Sequence, residues 1–241
     1  MSKDLDPNIY FTHREDASRK IIELLPIELL SQNETVVIGV SEGGVYFADK
    51  ISRACEAQMD ILLTEPILAP NNPEVAIAMI SETEEVVMHK ALIDAFDIND
   101  DYIYSEAHRK YQEEVLSYVY KYRQGKDLVS LEGKYVILAD ECVETGLTMM
   151  VALKSVIARG AKNIYIATPI LDEAVYESLL AVCDGVFCPH KIQHYISIEY
   201  YYQDFETLDF NALLSIIKAE EQAQKEKTSE IINLNEEDKI V

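Results

Sequence analysis

The chain has 241 residues and is 49% hydrophobic, so it can bury a sizeable core and wholesale disorder is excluded. A formal net charge of −22 argues against binding to nucleic acid or anionic membranes, because both repel an acidic protein that lacks a basic patch. No apolar run is long enough to cross a membrane. The residues Met1–Pro7 do not resemble a secretory leader, and the four cysteines are widely spaced, so we expect a reduced, cytoplasmic protein.

Short apolar runs alternate with helical patterns along most of the chain. Because these runs are continuous rather than alternating, they indicate strands of a parallel sheet that is covered on both faces. The runs are Thr35–Val40, Met59–Leu63, Lys134–Ala139, Asn163–Thr168 and Gly185–Cys188. Strand followed by helix, repeated in this way, predicts an α/β fold with a doubly wound parallel sheet.

Helix ends support this reading. Apolar residues recur at helical spacing after the third run, and Gly160 then lies where a helix C-cap belongs. Asp172 can cap the N-terminus of a helix that carries Val175, Leu179 and Leu180.

The segment 71–127 interrupts the alternation. It begins in the turn-like Pro70–Pro73, continues with the apolar run Val75–Ile80 and then predicts a long helix around Asp100–Arg123. We therefore expect a domain over residues 1–218 with an insertion between two sheet strands. Residues 219–241 are rich in Glu, Lys and Gln and predict a charged, flexible tail.

The strand that starts at Tyr135 carries the chemistry. It ends in the adjacent carboxylates Asp140 and Glu141, and the loop that follows, with Thr-Gly-x-Thr at 145–148, leads into a helix. Glycine permits a tight turn, and loop amides at a helix N-terminus form an anion site. The two carboxylates suit ribose hydroxyls or Mg²⁺. The alternative is an ordinary strand, turn and helix with a capping threonine.

This stretch resembles the phosphoribosyl diphosphate motif of type I phosphoribosyltransferases. Other segments are similar to that family's predicted-phosphoribosyltransferase branch, so the resemblance covers roughly Phe11–Ile217. They are the opening helix with Phe11, Arg14, Asp16 and Ala17, the loop Val40–Val45, the segment Ala69–Ile77, the pair Tyr122–Arg123 and the C-terminal motif Tyr201–Phe205.

The resemblance implies Mg²⁺-dependent transfer of ribose 5-phosphate from phosphoribosyl diphosphate to a nitrogen nucleophile, by a homodimer. It also implies a small lid built from the N-terminus, the insertion and the C-terminal motif. It places the 5-phosphate on Val143–Thr148, the ribose hydroxyls and Mg²⁺ on Asp140 and Glu141, and pyrophosphate on Ser41–Gly44. The implied substrate-binding residues are Ser41, Glu42, Gly43, Gly44, Asp140, Glu141, Cys142, Val143, Thr145, Gly146, Leu147 and Thr148.

Several positions depart from the family pattern. Glu42 replaces the basic residue usual in the pyrophosphate loop, and Pro66 stands where the branch commonly carries lysine. Both changes remove positive charge, so a non-catalytic regulator that binds a nucleotide or phosphoribosyl diphosphate is the alternative function. Glu144 is the candidate catalytic acid/base for a purine-like acceptor, or else a solvated loop carboxylate. Cys142 is either a small residue that fits the loop or a redox-sensitive thiol.

Two other site types compete. Gly39–Gly43 matches the Gly-x-Ser-x-Gly nucleophile elbow, with Asp140 and His190 following in the hydrolase order. Against this, only one helix precedes the strand, whereas the hydrolase fold needs several strands there. Zinc-type ligands occur at Cys183, Cys188, His190 and His194, although cysteines around a strand behave more often as small buried hydrophobes.

Two clusters in the lid and the insertion have ambiguous roles. Aromatic residues between Tyr195 and Phe205 could stack on a base, but we expect most of them to pack the lid onto the core. Arg109, Lys110 and Arg123 could reach pyrophosphate in a neighbouring subunit, or form a solvated face.

Overall fold

A computed structural model describes residues 9–206, 208–220 and 222–223. Its strands are β1 Thr35–Gly39, β2 Gln58–Ile61, β3 Thr64–Ala69, β4 Asn72–Ser81, β5 Val86–Met88, β6 Tyr135–Ala139, β7 Asn163–Ala167, β8 Ile170–Asp172, β9 Gly185–Phe187 and β10 His190–Ile192. Its helices are α1 Arg14–Leu24, α2 Ile27–Ser31, α3 Glu42–Ala54, α4 Lys90–Ala95, α5 Asp100–Lys110, α6 Leu116–Arg123, α7 Leu147–Ala158 and α8 Glu173–Leu180. A π-helical segment, Tyr111–Val115, joins α5 to α6, a short 3₁₀ helix covers Ile198–Tyr201, and residues 210–220 are helical.

The central sheet has five parallel strands in the order β2-β1-β6-β7-β9, so β6 is the middle strand. The predicted doubly wound α/β fold is confirmed, and each predicted apolar run overlaps one of these strands, although β2 begins one residue before its run. Alternate residues of the runs face opposite sides. Val37 and Ile137 pack under α1 and α3, whereas Val36 and Val136 pack under α7 and α8. Burial on both faces explains why the runs are continuously apolar.

The helix ends follow the sequence signals. Helix α7 ends before Gly160, whose φ of 78° is the left-handed conformation expected after a C-cap. The Asp172 side chain accepts a hydrogen bond from the Ala174 N–H at 2.8 Å and so caps α8.

The insertion lies between β2 and β6 in the sequence and forms a separate layer of the structure. Strands β3, β4 and β5 form an antiparallel sheet that begins upstream of Asn71, and the predicted turn joins β3 to β4. The long helix α5–α6 packs on this sheet through Ile103 and Val115. Met79 of β4 contacts Leu147 and Val151, which attaches the insertion to α7.

The two ends of the described chain meet beside the central sheet. The backbone N–H groups of Tyr10 and Phe11 donate to the Tyr201 carbonyl at 2.9 and 3.1 Å, and the Gln203 N–H donates to the Phe11 carbonyl at 2.9 Å. The rings of Phe11 and Tyr202 lie 5.0 Å apart, and both Tyr201 and Tyr202 are buried. These tyrosines therefore pack the lid onto the core, as predicted for most of the cluster.

The predictions for the N-terminus and for the C-terminal tail concern residues that lie mostly outside the described ranges. Residues 1–7, where no leader was expected, lie outside the described residues, as do 221 and 224–241 of the predicted tail. Within the described ranges, no helix combines the length and the apolar character needed to cross a bilayer.

Candidate active site

The ends of β1 and β6 bring two predicted site residues together. Gly39 and Ala139 are paired in the parallel register, so the residues that follow them leave the sheet side by side. The Ser41 hydroxyl donates a hydrogen bond to the Asp140 carboxylate and accepts one from the Gly44 N–H at 2.8 Å, which caps α3. A Cβ at Gly44 would lie 2.5 Å from the Ala139 carbonyl oxygen, so this close approach requires glycine. Ser41–Gly44 is thus the cap and first turn of a helix, where amides and the helix dipole favour anions.

Asp140 is buried at the end of the middle strand. Only 6% of the residue is exposed, and its Oδ1 also accepts a hydrogen bond from the Glu141 N–H at 2.8 Å. Burial raises the pKa of Asp140 to about 7, although the hydrogen bonds from Ser41 and the Glu141 amide act in the opposite direction. The carboxyl therefore titrates near neutral pH, and contacts from hydroxyl groups or a cation would favour its charged form.

Glu141 is held by a residue from the first helix. Its Oε2 lies 2.6 Å from Nη1 of Arg14, whose side chain is 9% exposed. A Cβ on Gly43 would overlap the Glu141 carboxylate, so this carboxylate rests directly on the first turn of α3. Burial raises the pKa of Glu141, and Arg14 opposes that shift. Sequence reasoning named Arg14 only as part of the opening helix and missed this contact.

The loop after the acid pair surrounds a hollow of about 200 Å³. Its lining residues are Asp140, Cys142, Val143, Glu144, Thr145, Gly146, Thr148 and Met149. Gly146 has a φ of 76° and precedes α7, which begins at Leu147. The hollow therefore lies at a helix N-terminus, where positive dipole ends and amide groups favour an anion.

Backbone hydrogen bonds fix the start of this loop. The Val143 N–H donates to the Ile170 carbonyl at 3.0 Å, and the Val143 carbonyl accepts from the Asp172 N–H at 2.9 Å. Because the Val143 N–H is already hydrogen-bonded to β8, a bound anion would have to use N–H groups later in the loop. The Leu147 N–H contacts the Thr145 hydroxyl at a long 3.5 Å, and Thr148 is half-buried.

The two remaining loop side chains have different surroundings. Glu144 is exposed, so its carboxylate can meet a ligand that arrives from solvent. Cys142 donates a hydrogen bond to the Tyr195 hydroxyl at 3.3 Å, and burial raises the pKa of its thiol to about 12. A thiol that stays protonated at neutral pH is a poor nucleophile, so the redox-sensitive interpretation of Cys142 is not supported.

Negative charge lies beside the first turn of α3. The Tyr122 hydroxyl of α6 donates to Oε1 of Glu42 at 2.5 Å, so the Glu42 carboxylate is directed toward the long helix. Both residues line a cavity of about 190 Å³ together with Glu65 and Tyr118. Lys110 lies 3.5 Å from Glu65 and 2.7 Å from Glu114, so its charge is balanced locally.

The alternative site types are not assembled. The His190 ring stacks on Tyr10 with centroids 4.2 Å apart, whereas the Ser41 hydroxyl is bonded to Asp140, so the three residues do not form a hydrolase triad. The thiols of Cys183 and Cys188 donate to backbone carbonyls, and in the described ranges no three metal-binding side chains converge on one point.

The basic residues of the long helix are also engaged. Arg123 is buried, with an ion pair to Glu82 and a longer contact of 3.5 Å to Asp60, so it is not part of a solvated face. Arg109 pairs on its own helix with Glu106 and Glu113, both at 2.7 Å.

Comparisons with known proteins show which family the chain belongs to. The family model for the phosphoribosyl transferase domain matches residues 10–204. Two curated proteins of Mycobacterium tuberculosis, named "Putative phosphoribosyl transferase" Rv0571c (strain H37Rv) and MT0597 (strain CDC 1551), are each 27% identical over 178 residues. These matches cover 74% of this chain but only 40% of each relative, so the chain spans less than half of their length. The crystal structure of TT1426 from Thermus thermophilus superposes with a TM-score of 0.71 at 27% identity, over 86% of this chain and 97% of that one. The chain therefore belongs to the phosphoribosyl transferase domain family.

Proposed function

We propose that the protein is a Mg²⁺-dependent phosphoribosyltransferase that uses phosphoribosyl diphosphate and a nitrogen acceptor. The observation that carries this proposal is the buried Asp140 at the end of the middle strand, next to a hollow at the N-terminus of α7. In open α/β sheets, ligands bind at this edge. The hollow takes the 5-phosphate, and the acid pair takes the ribose hydroxyls.

The reaction breaks the bond between ribose C1 and a pyrophosphate oxygen, which leaves with the electron pair. The acceptor nitrogen then bonds to C1 and loses its proton. The transition state resembles an oxocarbenium ion, so the main tasks are to fix the ribose and to stabilise the departing anion. Asp140 and Glu141 fix the ribose, while the first turn of α3 at Ser41–Gly44 faces the pyrophosphate. Glu144, which is exposed on the loop, would accept the proton from a purine-like acceptor.

The acid pair fits a metal only in part. Oδ1 of Asp140 and Oε2 of Glu141 are already used by Ser41, the Glu141 amide and Arg14, so each carboxylate has one oxygen that these bonds do not use. Two such oxygens suit a hard cation that the substrate also ligates, because Mg²⁺ is commonly bound through one or two carboxylates plus phosphate oxygens. When bound, Mg²⁺ supplies charge neutralisation for the pyrophosphate.

A second function, a non-catalytic sensor of a nucleotide or phosphoribosyl diphosphate, is favoured by one specific feature. The carboxylates of Glu42 and Glu65 line the cavity beside the predicted pyrophosphate loop. Negative charge there opposes accumulation of charge on a leaving pyrophosphate, and this effect is larger for turnover than for binding.

The two functions are separated by pyrophosphate release. The protein is incubated with phosphoribosyl diphosphate, Mg²⁺ and a panel of purine and pyrimidine bases, while titration calorimetry measures binding of phosphoribosyl diphosphate. We expect release with at least one base, and loss of release without loss of binding in Glu144→Gln. Binding without release with any base would favour the sensor, and absence of binding would contradict both functions.

The same proposal includes the compartment, the oligomeric state and the domain organisation of the protein. We propose a reduced cytoplasmic homodimer in which residues 1–218 form the transferase domain and 71–127 its insertion. The four cysteines are free in the structure, which suits a reducing compartment. Size-exclusion chromatography with light scattering tests the dimer.

A further inference from the structure

We propose that Arg14 is the cation that binds the pyrophosphate group, in place of the basic residue that the loop lacks at Glu42. This inference rests on the proposed function, because it assigns a role within the same site. The first turn of α3 carries Glu42 and two glycines, so it offers amides but no positive side chain. Pyrophosphate carries several charges, and helix-terminal amides provide only a partial counter-charge.

The geometry places Arg14 next to that turn. Its Nη1 lies 2.6 Å from Oε2 of Glu141, and the same carboxylate rests on Gly43. One carboxylate therefore separates the guanidinium from the predicted pyrophosphate loop. In the ion pairs between described residues, Arg14 is the cation that contacts the acid pair.

Arg14 is also held in a defined orientation. Its Nε donates to the backbone carbonyl of Glu206 at 3.1 Å, and the guanidinium carbon lies 4.2 Å from the centroid of the Phe205 ring. Both contacts come from the C-terminal motif. The planar guanidinium keeps further N–H donors that these contacts do not use, and it can bind phosphate oxygens in pairs.

Ligand binding would give Arg14 a new partner, the pyrophosphate, beside Glu141. In the ligand-free protein, Glu141 balances the charge of Arg14. When ribose hydroxyls or Mg²⁺ engage the other oxygen of Glu141, they share its charge, and guanidinium N–H groups that Glu141 does not use can turn toward the pyrophosphate. Arg14 also borders a cavity of about 530 Å³, so space for a small movement lies next to the side chain.

The test compares two ligands that differ only in the pyrophosphate group. Titration calorimetry with Mg²⁺ measures phosphoribosyl diphosphate and ribose 5-phosphate on the wild type, Arg14→Gln and Arg14→Lys. We expect Arg14→Gln to weaken phosphoribosyl diphosphate by about tenfold to a hundredfold, because a hydrogen bond to a charged group is lost. Ribose 5-phosphate should change by less than about threefold. Arg19→Gln, on the exposed side of α1, is the matched control and should change neither ligand.

A purely structural role gives a different pattern. If Arg14 only supports Glu141 and the fold, both ligands weaken equally in Arg14→Gln, and that result overturns the inference. Should Arg14→Gln not fold, Arg14→Lys decides, because it keeps the charge but loses the fork. We expect it to weaken phosphoribosyl diphosphate by about threefold to tenfold while ribose 5-phosphate is retained. Equal effects on the two ligands, or no effect on either, contradict the role.

Inorganic pyrophosphate provides an independent measurement. Glu141→Gln removes the charge that holds Arg14, so without Mg²⁺, which Glu141 would help to bind, we expect tighter binding of pyrophosphate to this variant than to the wild type. The gain should disappear in Glu141→Gln with Arg14→Gln. A gain that persists in the double variant would mean that Glu141 repels pyrophosphate directly, and Arg14 would then have no part in it. If the wild type binds ribose 5-phosphate but not phosphoribosyl diphosphate, the inference fails while the phosphate site stands. If it binds neither, the proposed function fails as well.

Discussion

Asp140 connects the chemistry of the site to the stability of the fold. Its burial raises its pKa to about 7 from an ordinary value of 3.8, so between these values the folded protein binds more protons than the unfolded chain. The contribution of Asp140 to the free energy of unfolding therefore falls as pH rises from about 4 to about 7, and this loss is complete above the folded pKa. A carboxylate that is buried in this way destabilises the protein at neutral pH.

Asp140→Asn should remove this pH dependence. Asparagine keeps an oxygen that can accept from Ser41 and from the Glu141 amide, but it does not ionise. We expect the variant to exceed the wild type in unfolding free energy above pH 7, by on the order of 2–4 kcal/mol, and to match it near pH 4. Urea unfolding at several pH values, with chelator and no ligand, measures the difference. The exposed carboxylate Glu144, changed to Gln, is the control and should leave the profile unaltered. A profile for Asp140→Asn that parallels the wild type would show that Asp140 is ionised throughout.

The sequence predicted these carboxylates because strand, acid pair and loop are contiguous. It could not predict the partner of Glu141, because Arg14 is 127 residues away and no local spacing relates them. The Tyr122 contact to Glu42 is also remote in sequence, because Tyr122 lies 80 positions after Glu42. Such pairs depend on how the N-terminal helix and the insertion dock, which is a property of the tertiary structure.

At the scale of secondary-structure elements, the sequence predicted the strands that are buried on both faces. Strands β1 and β6 are covered on both faces and give continuous apolar runs. Strand β3 alternates between half-buried and buried residues and contains Glu65 and Pro66, so its pattern is weak and it was not predicted. The long helix was predicted, but its π-helical segment at Tyr111–Val115 leaves no recognisable sequence signal.

The long helix also holds a charge beside the predicted pyrophosphate loop. Tyr122 holds the Glu42 carboxylate toward α6, and we predict that Tyr122→Phe releases it. At about 4 Å, a pair of like charges repels by roughly 1 kcal/mol in water and about 4 kcal/mol at an effective dielectric constant of 20. Affinity for phosphoribosyl diphosphate, measured by calorimetry, should therefore fall by about threefold to tenfold.

The double variant Tyr122→Phe with Glu42→Gln isolates the charge. It should recover the affinity of Glu42→Gln alone, because no free carboxylate remains near the loop. Tyr120→Phe, whose side chain is exposed on the same helix, should have no effect. If the double variant binds as weakly as Tyr122→Phe, the hydroxyl acts by positioning the helix rather than by restraining Glu42.

At the scale of the whole molecule, the site is where three parts of the chain converge. The central sheet supplies Asp140, the N-terminal helix supplies Arg14 and the insertion supplies Tyr122. The Lys121 ammonium lies 4.0 Å from the centroid of the Phe210 ring, and the Tyr122 and Phe210 rings are 5.8 Å apart, so the insertion also contacts the C-terminal helical residues. Residues from separate segments therefore depend on one another's packing, which sequence periodicity within each segment does not report.

The strongly acidic composition makes a prediction about salt. The chain has 43 acidic and 21 basic residues, so its compact state brings many like charges together. Opposing this are exposed ion pairs within helices, such as Arg19 with Asp16 and Arg53 with Asp49, each of which contributes little because both charges are largely solvated. The pair between Arg123 and Glu82 is buried and therefore screened much less. Long-range repulsion should dominate the response to salt.

We therefore expect the melting temperature to rise when salt increases from about 10 mM to about 0.1 M, as the Debye length falls from roughly 30 Å to roughly 10 Å. A gain of about 1–2 kcal/mol would raise the melting temperature by roughly 2–8 °C for a domain of this size. Circular dichroism melts in sodium, potassium and lithium chloride measure it, and a similar rise in all three salts indicates screening rather than binding of one ion. A fall in melting temperature would mean that the ion pairs outweigh the repulsion. The stability of the fold would then depend on local charge pairing despite a net charge of −22.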